Sequence, residues 1–205
     1  MIAMLSELEQ DALLEVMNLG MGQAADSLSE MMEEEVVLSV PRIYFLPRSE
    51  VFNRIEVDPK TRMTAVRQTF TGPFHGSTLL IYPREKSLEL VRSLLHNEVS
   101  LEECREMEQE SITEVGNIIL NACLGSFANI MGVEILCELP EYLQDSCTSL
   151  LTQEPVASEN PIMLLFVDFV TNGNRIKGYV ILLFDTWTIP YLKKELDSIL
   201  SSLNT

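Results

Sequence analysis

The sequence predicts an α+β fold, layered as helices on a sheet: one domain with about six mainly antiparallel strands. Stretches with helical periodicity alternate with short runs rich in β-branched and aromatic residues. The chain also repeats itself. Three residues recur 99 positions later with both spacings unchanged: Glu15 as Glu114, Asn18 as Asn117, and Pro41 as Pro140. Because their apolar surroundings recur as well, we interpret the pattern as an internal duplication.

The first half is predicted to hold a helix, three strands and a second helix. Apolar residues at helical spacing, among them Leu13, Leu14 and Met17, predict a helix over about residues 5–35. VVLSVPRIYFL is typical of a strand. RMTAVRQTF and HGSTLLIY predict a hairpin whose turn contains Gly72 and Pro73. A helix over about residues 85–96 completes this half.

The second half repeats that order. We predict a helix over about residues 102–131, a strand at VEILCEL, and a hairpin of MLLFVDFV and IKGYVILLF around Asn172 and Gly173. A last helix ends at about residue 203, and LTQEPVASENP is the best candidate for a flexible loop. The two repeats therefore extend over about residues 5–98 and 102–203.

Neither half is expected to fold alone. A sheet of three strands would leave long hydrophobic edges exposed. We therefore expect residues 1–205 to form a single domain in which both halves share one sheet with pseudo-twofold symmetry. Hairpin connections make that sheet mainly antiparallel.

The charge of the chain excludes several classes of partner. It has 31 acidic and 14 basic residues and a net charge of −17, which opposes binding to nucleic acids and to anionic lipids. Proteins with basic patches, or small molecules, are the expected partners. The start has no basic segment followed by an apolar one, and no long apolar run follows. We expect no signal peptide, no membrane insertion and a cytoplasmic location.

No metal site is expected. His75 and His96 are isolated in the sequence, without the spacing typical of zinc ligands. The four cysteines lack a CxxC pair, and in a reducing cytosol we expect them to be buried as small hydrophobic residues.

The repeated polar residues are the candidate site. Residues three and four apart lie on one face of a helix. That face carries Asp11, Glu15 and Asn18 in the first copy and Glu110, Glu114 and Asn117 in the second. In one copy alone, ordinary solvated residues or a helix cap would explain the pattern. Because an asparagine recurs at the same helical position without an obvious packing reason, the repetition favours a function.

The chemistry of this pair is limited. A carboxamide can donate to and accept from a water molecule, and so orient it for attack on a phosphoryl group. A carboxylate can form an ion pair with a lysine on a partner. The pair is neither a nucleophile with its base nor the two separated carboxylates of a glycosidase.

The signature resembles that of the CheC-type phosphatases of chemotaxis, the family of CheC, CheX and FliY. It reads Asp or Ser, three residues, Glu, two residues, Asn, 22 residues and Pro. The first copy matches at every element, from Asp11 to Pro41, whereas Glu110 replaces Ser or Asp in the second. The resemblance covers nearly the whole chain.

The resemblance implies an enzyme of two-component signalling that removes the phosphoryl group from an aspartate of the response regulator CheY. The regulator supplies the acyl phosphate, Mg²⁺ and a lysine, so this chain needs no cofactor of its own. The resemblance implies that Glu15 and Glu114 pair with that lysine and that Asn18 and Asn117 position the attacking water. Asp11 and Glu110 are the implied supporting residues.

Two other interpretations remain open. A module with little or no catalysis could sequester phosphorylated CheY or the receptor deamidase CheD, to which relatives bind. An unrelated structural protein is the third. Replacement of both asparagines distinguishes catalysis from sequestration.

Overall fold

The computed structural model describes residues 5–55, 57–95, 100–152, 161–171, 174–184 and 188–203. The predicted helices and strands follow one another in the predicted order, with short elements added between them. The helices are α1 (Glu7–Met32), α2 (Val51–Ile55), α3 (Arg84–Leu94), α4 (Leu101–Met131), α5 (Cys147–Thr152) and α6 (Thr188–Leu203). The strands are β1 (Val36–Pro47), β2 (Arg62–Thr71), β3 (Gly76–Pro83), β4 (Leu136–Cys137), β5 (Glu141–Ser146), β6 (Pro161–Thr171) and β7 (Asn174–Phe184).

Both long helices begin at a capping box. Ser6 precedes α1 and Ser100 precedes α4, and each hydroxyl accepts from the backbone N–H three residues later. The carboxylates of Glu9 and Glu103 accept in return from the backbone N–H groups of these serines. Two of the free donors at each helix start are satisfied in this way.

The strands form one sheet in the order β1-β6-β7-β3-β2, with β4 and β5 both pairing with β2. Each pairing between described strands is antiparallel, so the predicted fold class is confirmed. β1 of the first half lies beside β6 of the second, and β5 of the second lies beside β2 of the first. The two halves therefore exchange their edge strands.

Of the strand predicted at VEILCEL, only Leu136–Cys137 pairs in the sheet, which has seven described strands where about six were expected. This part of the chain pairs with β2 at β4, is not in a strand at Pro140, and pairs with β2 again at β5. The sheet therefore has seven strands. Proline has no N–H to donate to a ladder and is tolerated at bulges and edges. The first copy shows a milder form, since the register of β1 shifts between Ser39 and Arg42, around Pro41.

Helices cover the two faces of the sheet unequally. α1, α3, α4 and α6 contribute to the larger core on one face. α2 and α5 pack with the other face in a smaller core. Neither short helix was predicted, because five or six residues are too few to show a helical period.

Burial follows the 99-residue offset. Each buried residue of α1 has a buried counterpart in α4. The pairs are Glu9 and Glu108, Leu13 and Ile112, Met17 and Gly116, Gly20 and Ile119, Met21 and Leu120, Ala24 and Cys123, Ala25 and Leu124, Leu28 and Phe127, and Met32 and Met131. The long helices therefore present equivalent faces to the core.

Two glycines allow the long helices to approach their neighbours closely. A Cβ on Gly20 would lie 2.0 Å from Oγ of Ser126 in α4. A Cβ on Gly116 would lie 2.6 Å from Cβ of Val66 in β2. α1 is therefore held against α4, and α4 against the sheet, at the level of the candidate site.

Three smaller expectations concern loops, cysteines and membranes. In the predicted loop, Leu151 and Thr152 belong to α5, whereas residues 153–160 lie outside the described ranges, as do residues 172 and 173 of the predicted turn. Cys137 is exposed at the edge of the sheet, contrary to prediction; the other three cysteines are buried. Among the described helices, none combines the length and the apolar character needed to cross a membrane.

Candidate functional site

The repeated polar residues lie on the solvent side of α1 and α4. The carboxylates are exposed and the two asparagines are half-buried at the base of the same faces. The exposed carboxylates are Asp11, Glu15, Glu110 and Glu114. Buried positions such as Leu13 and Ile112 hold the opposite faces against the core. Packing thus fixes which way each polar face looks.

Asn18 bridges α1 to the first strand. Its Nδ2 donates to the carbonyl oxygens of Leu14, at 2.9 Å, and Val40, at 3.1 Å. Its Oδ1 accepts from the backbone N–H of Val40 at 2.8 Å. Since a carboxamide has two N–H donors, both are used within the chain. Asn18 therefore supports the bulge at Pro41.

Asn117 is held differently. Its Oδ1 accepts from Nδ2 of Asn121, at 2.9 Å. Asn121 accepts in turn from Nε2 of the buried Gln68, at 3.2 Å, which also donates to the carbonyl oxygen of Glu138, at 3.1 Å. This amide relay orients Asn117, while its Nδ2 has no hydrogen-bond partner within the described part of the chain. One asparagine is thus fully used as a donor, and the other is oriented with both donors free.

The broken edge strand explains the difference between the copies. Val40, which binds Asn18, is 1% exposed. Its counterpart 99 residues later is Leu139, which is 88% exposed and lies in the interval between β4 and β5. The strand has therefore moved away from α4, and Asn117 has lost the backbone that its counterpart binds.

The exposed carboxylates face solvent without internal cations. Among the residues that the structure describes, Glu15 and Glu114 form no salt bridge and no side-chain hydrogen bond. Their charges are therefore available to a cation on a partner. Within the same ranges, three or more potential metal ligands do not cluster anywhere.

A second repeated carboxylate is buried rather than exposed. Glu9 is 1% exposed and accepts from Nζ of Lys193 at 2.6 Å. Burial by itself raises the pKa of Glu9, but hydrogen bonds from Lys193 and from Ser6 outweigh it and lower the pKa to about 2. Its counterpart Glu108 accepts from the hydroxyls of Thr64 and Ser87. Glu9 thus anchors the first turn of α1, whereas Glu108, two turns into α4, ties that helix to Thr64 and Ser87.

The sequence analysis did not single out Glu9 and Glu108, or Asn121 and Gln68 of the amide relay. Glu9 and Glu108 share the 99-residue offset, so the repeat could have revealed them. Asn121 has Gly22 as its counterpart, and Gln68 is distant in sequence, so no repeat pointed to the relay. Only the spacing of Asn117 and Asn121, one helical turn apart, was a signal.

The chain matches known proteins by sequence. Residues 8–44 match the model of the CheC-like family. The chain is 23% identical over 155 residues to the CheY-P phosphatase CheC of Bacillus subtilis (strain 168), covering 73% of this chain and 72% of CheC. It is 32% identical over 77 residues to the flagellar motor switch phosphatase FliY of the same organism, covering 38% of this chain and 19% of FliY.

Solved structures show the same fold. The crystal structure of FliY from Thermotoga maritima has a TM-score of 0.74 at 18% identity, covering 95% of this chain and 98% of the chain in that structure. FliM from a FliM-SpeE complex of H. pylori has a TM-score of 0.66 at 12% identity, covering 95% and 97%. Together with the family match, these findings confirm the resemblance that the two signatures predict.

Proposed function

Because the chain carries a CheC-like segment and is similar to CheC and FliY, we propose that it is a cytoplasmic aspartyl-phosphate phosphatase that dephosphorylates CheY. One observation carries the proposal. α4 presents an oriented carboxamide one turn after a carboxylate, and within the described ranges neither the carboxamide's donors nor the carboxylate has a partner. That arrangement is what binding of a water and of a regulator's lysine requires.

The α4 site has the geometry for water positioning. Asn121 accounts for one acceptor position of Asn117, so both N–H donors and a lone pair remain for a water molecule. Glu114 pairs with the lysine of the regulator, which brings the helix to the acyl phosphate. The regulator also supplies Mg²⁺. Since an acyl phosphate is already labile, placing the water and shielding the site are sufficient tasks.

The α1 site is proposed to contribute less. Asn18 can donate to a water only after its bonds to Leu14 and Val40 open or become shared. Its second Oδ1 lone pair is the part that remains free. Glu15 offers the same lysine contact as Glu114. We therefore assign most of the hydrolysis to Asn117 and a smaller share to Asn18.

The supporting residues act through charge. Asp11 and Glu110 are exposed and lie one turn before Glu15 and Glu114. Each adds an acidic group to the face that meets the regulator's cations, which favours association. The net charge of −17 acts in the same direction.

The test is the decay of phosphorylated CheY in the presence of Mg²⁺. We expect the chain to accelerate decay, Asn117→Ala to lose most of this acceleration, and the double variant with Asn18→Ala to lose all of it. Asn129→Ala is the matched control, since Asn129 is exposed on the same helix outside the site. A double variant with full activity would refute the assigned chemistry.

The second candidate is the module that sequesters phosphorylated CheY or CheD. The likeness to FliM favours keeping it, because a related fold occurs in a protein that is not described as a phosphatase. Saturable binding of phosphorylated CheY without faster decay would support this function and exclude the first. Binding of CheD can be measured in the same way.

A further inference from the structure

A cavity of about 440 Å³ opens on the face of the sheet opposite α1 and α4. α2 forms one wall, and β1, β6 and β7 form the floor. Its lining includes Gly178, Tyr179 and Pro41 of the bulge. Its volume lies in the range of small-molecule sites, about 300–1,000 Å³. The candidate phosphatase site does not use it.

The cavity concentrates positive charge. Arg42, Arg54, Arg175 and Lys177 line it, which is four of the 14 basic residues in a chain of net charge −17. Among the described residues of the lining, Asp168 is the one acidic residue, and its Oδ2 accepts from Arg175 at 2.7 Å. Three cations therefore remain without an ion pair among the described residues. Like charges gathered in this way repel one another unless an anion binds between them.

The floor of the cavity is aromatic and well supported. Tyr44, Phe166 and Tyr179 lie on three adjacent strands and contact one another edge to face, with ring centroids 5.7 and 5.2 Å apart. The guanidinium of Arg54 lies 4.8 Å from the centroid of the Tyr44 ring and extends this surface. The hydroxyl of Tyr179 donates to the carbonyl oxygen of Ile55, which fixes α2 to the sheet.

We propose that this cavity binds an organic phosphate: a phosphate monoester carried by a flat ring, such as a nucleoside monophosphate. A phosphate dianion matches several cations, and arginine binds its oxygens through two parallel N–H groups. The ring of the ligand contacts Phe166 and the guanidinium of Arg54. The ligand's phosphate lies between Arg42 and Lys177, whose side chains are exposed at the mouth.

This proposal is independent of the proposed phosphatase. The cavity lies on the other face of the sheet, and its residues are not those of the α4 site. Only the α1 site is connected to it, because Asn18 binds Val40 and the next residue, Pro41, lines the cavity. Binding can therefore be measured without CheY.

Isothermal titration calorimetry on the full chain tests it, with AMP, GMP, UMP and phenyl phosphate as probes and with adenosine and inorganic phosphate as partial probes. We expect saturable binding at one site for at least one monoester, tighter than for either partial probe. Arg42→Gln and Lys177→Gln should each weaken it about tenfold, which is about 1.4 kcal/mol. Arg92→Gln, an exposed change on α3, is the matched control.

Three results would overturn the proposal. The first is no saturable binding of any of the four monoesters. The second is unchanged affinity in Arg42→Gln and Lys177→Gln, or equal weakening in Arg92→Gln. The third is inorganic phosphate binding as tightly as the best monoester, which would leave the aromatic floor without a role. Circular dichroism of each variant verifies that the fold is retained.

Discussion

Replacing Asn18 and Asn117 by alanine should separate stability from activity. Asn18→Ala removes two hydrogen bonds to Val40 and leaves a backbone N–H at a residue that is 1% exposed without its acceptor. A buried donor without a partner costs about 1–3 kcal/mol. Alanine regains about 0.6 kcal/mol of helix propensity. The net loss in the free energy of unfolding should be about 0.4–2.4 kcal/mol.

Asn117→Ala should cost almost nothing in stability. The side chain makes one hydrogen bond, to the exposed Asn121, and such a bond contributes about 0.5–1.5 kcal/mol. The gain in helix propensity offsets about half of that. We therefore expect the free energy of unfolding to fall by no more than about 0.9 kcal/mol, although this variant should lose more phosphatase activity than Asn18→Ala.

Urea unfolding followed by circular dichroism measures the free energy of unfolding, and decay of phosphorylated CheY measures the phosphatase activity. Asn129→Ala serves as the control for an exposed asparagine on α4. The reasoning would be refuted if Asn18→Ala and Asn117→Ala were equally stable. It would also be refuted if Asn18→Ala lost more activity than Asn117→Ala while remaining folded.

Three other changes have defined outcomes. Gly116→Ala should destabilise the chain by about 1–3 kcal/mol, because its Cβ meets β2, whereas Gly125→Ala, with open space, should be neutral or stabilising; urea unfolding compares them. The lowered pKa of Glu9 stabilises the fold above its unfolded value of 4.5, and this stability is lost as pH falls toward about 2. The free energy of unfolding, measured from pH 6 to 2, should therefore fall less steeply in Glu9→Gln than in the unmodified chain. Parallel curves of this free energy against pH would contradict the prediction. Asn121→Ala should lower the catalytic rate, and Asn121→Gln, which keeps the carboxamide, should restore part of it. A loss of CheY binding as large as the loss of rate would indicate a structural role instead.

Sequence patterns predicted the elements that are long and strongly periodic. The helices that carry Glu15 and Glu114 and both hairpins lie where their apolar periods place them. The exchange of edge strands was not predictable in detail, because pairing between distant strands leaves no local pattern. β4 is shorter than the predicted strand because of Pro140 and of the register against β2. Pro140 is visible in the sequence, whereas the register is a tertiary effect that the local sequence does not encode.

The candidate site shows the same limit at the level of single atoms. The repeat identified Asn18 and Asn117 as equivalent, and their positions on the helices are equivalent. Their hydrogen bonds are not, because one faces a continuous strand and the other faces a broken one. This difference becomes visible only in the structure, where Val40 is buried and its counterpart Leu139 is exposed.

The exchange of edge strands between the halves also affects how the chain folds. β1 cannot form its ladder until β6 has been synthesised, since Val36 pairs with Thr171 and Pro47 with Pro161. Contacts so distant in sequence slow folding and delay the sheet until nearly the whole chain has left the ribosome. A half-chain alone could complete its sheet only by trading its first strand with a second copy, in a symmetric dimer. On the interpretation of the repeat as a duplication, joining both halves in one chain makes their association independent of concentration.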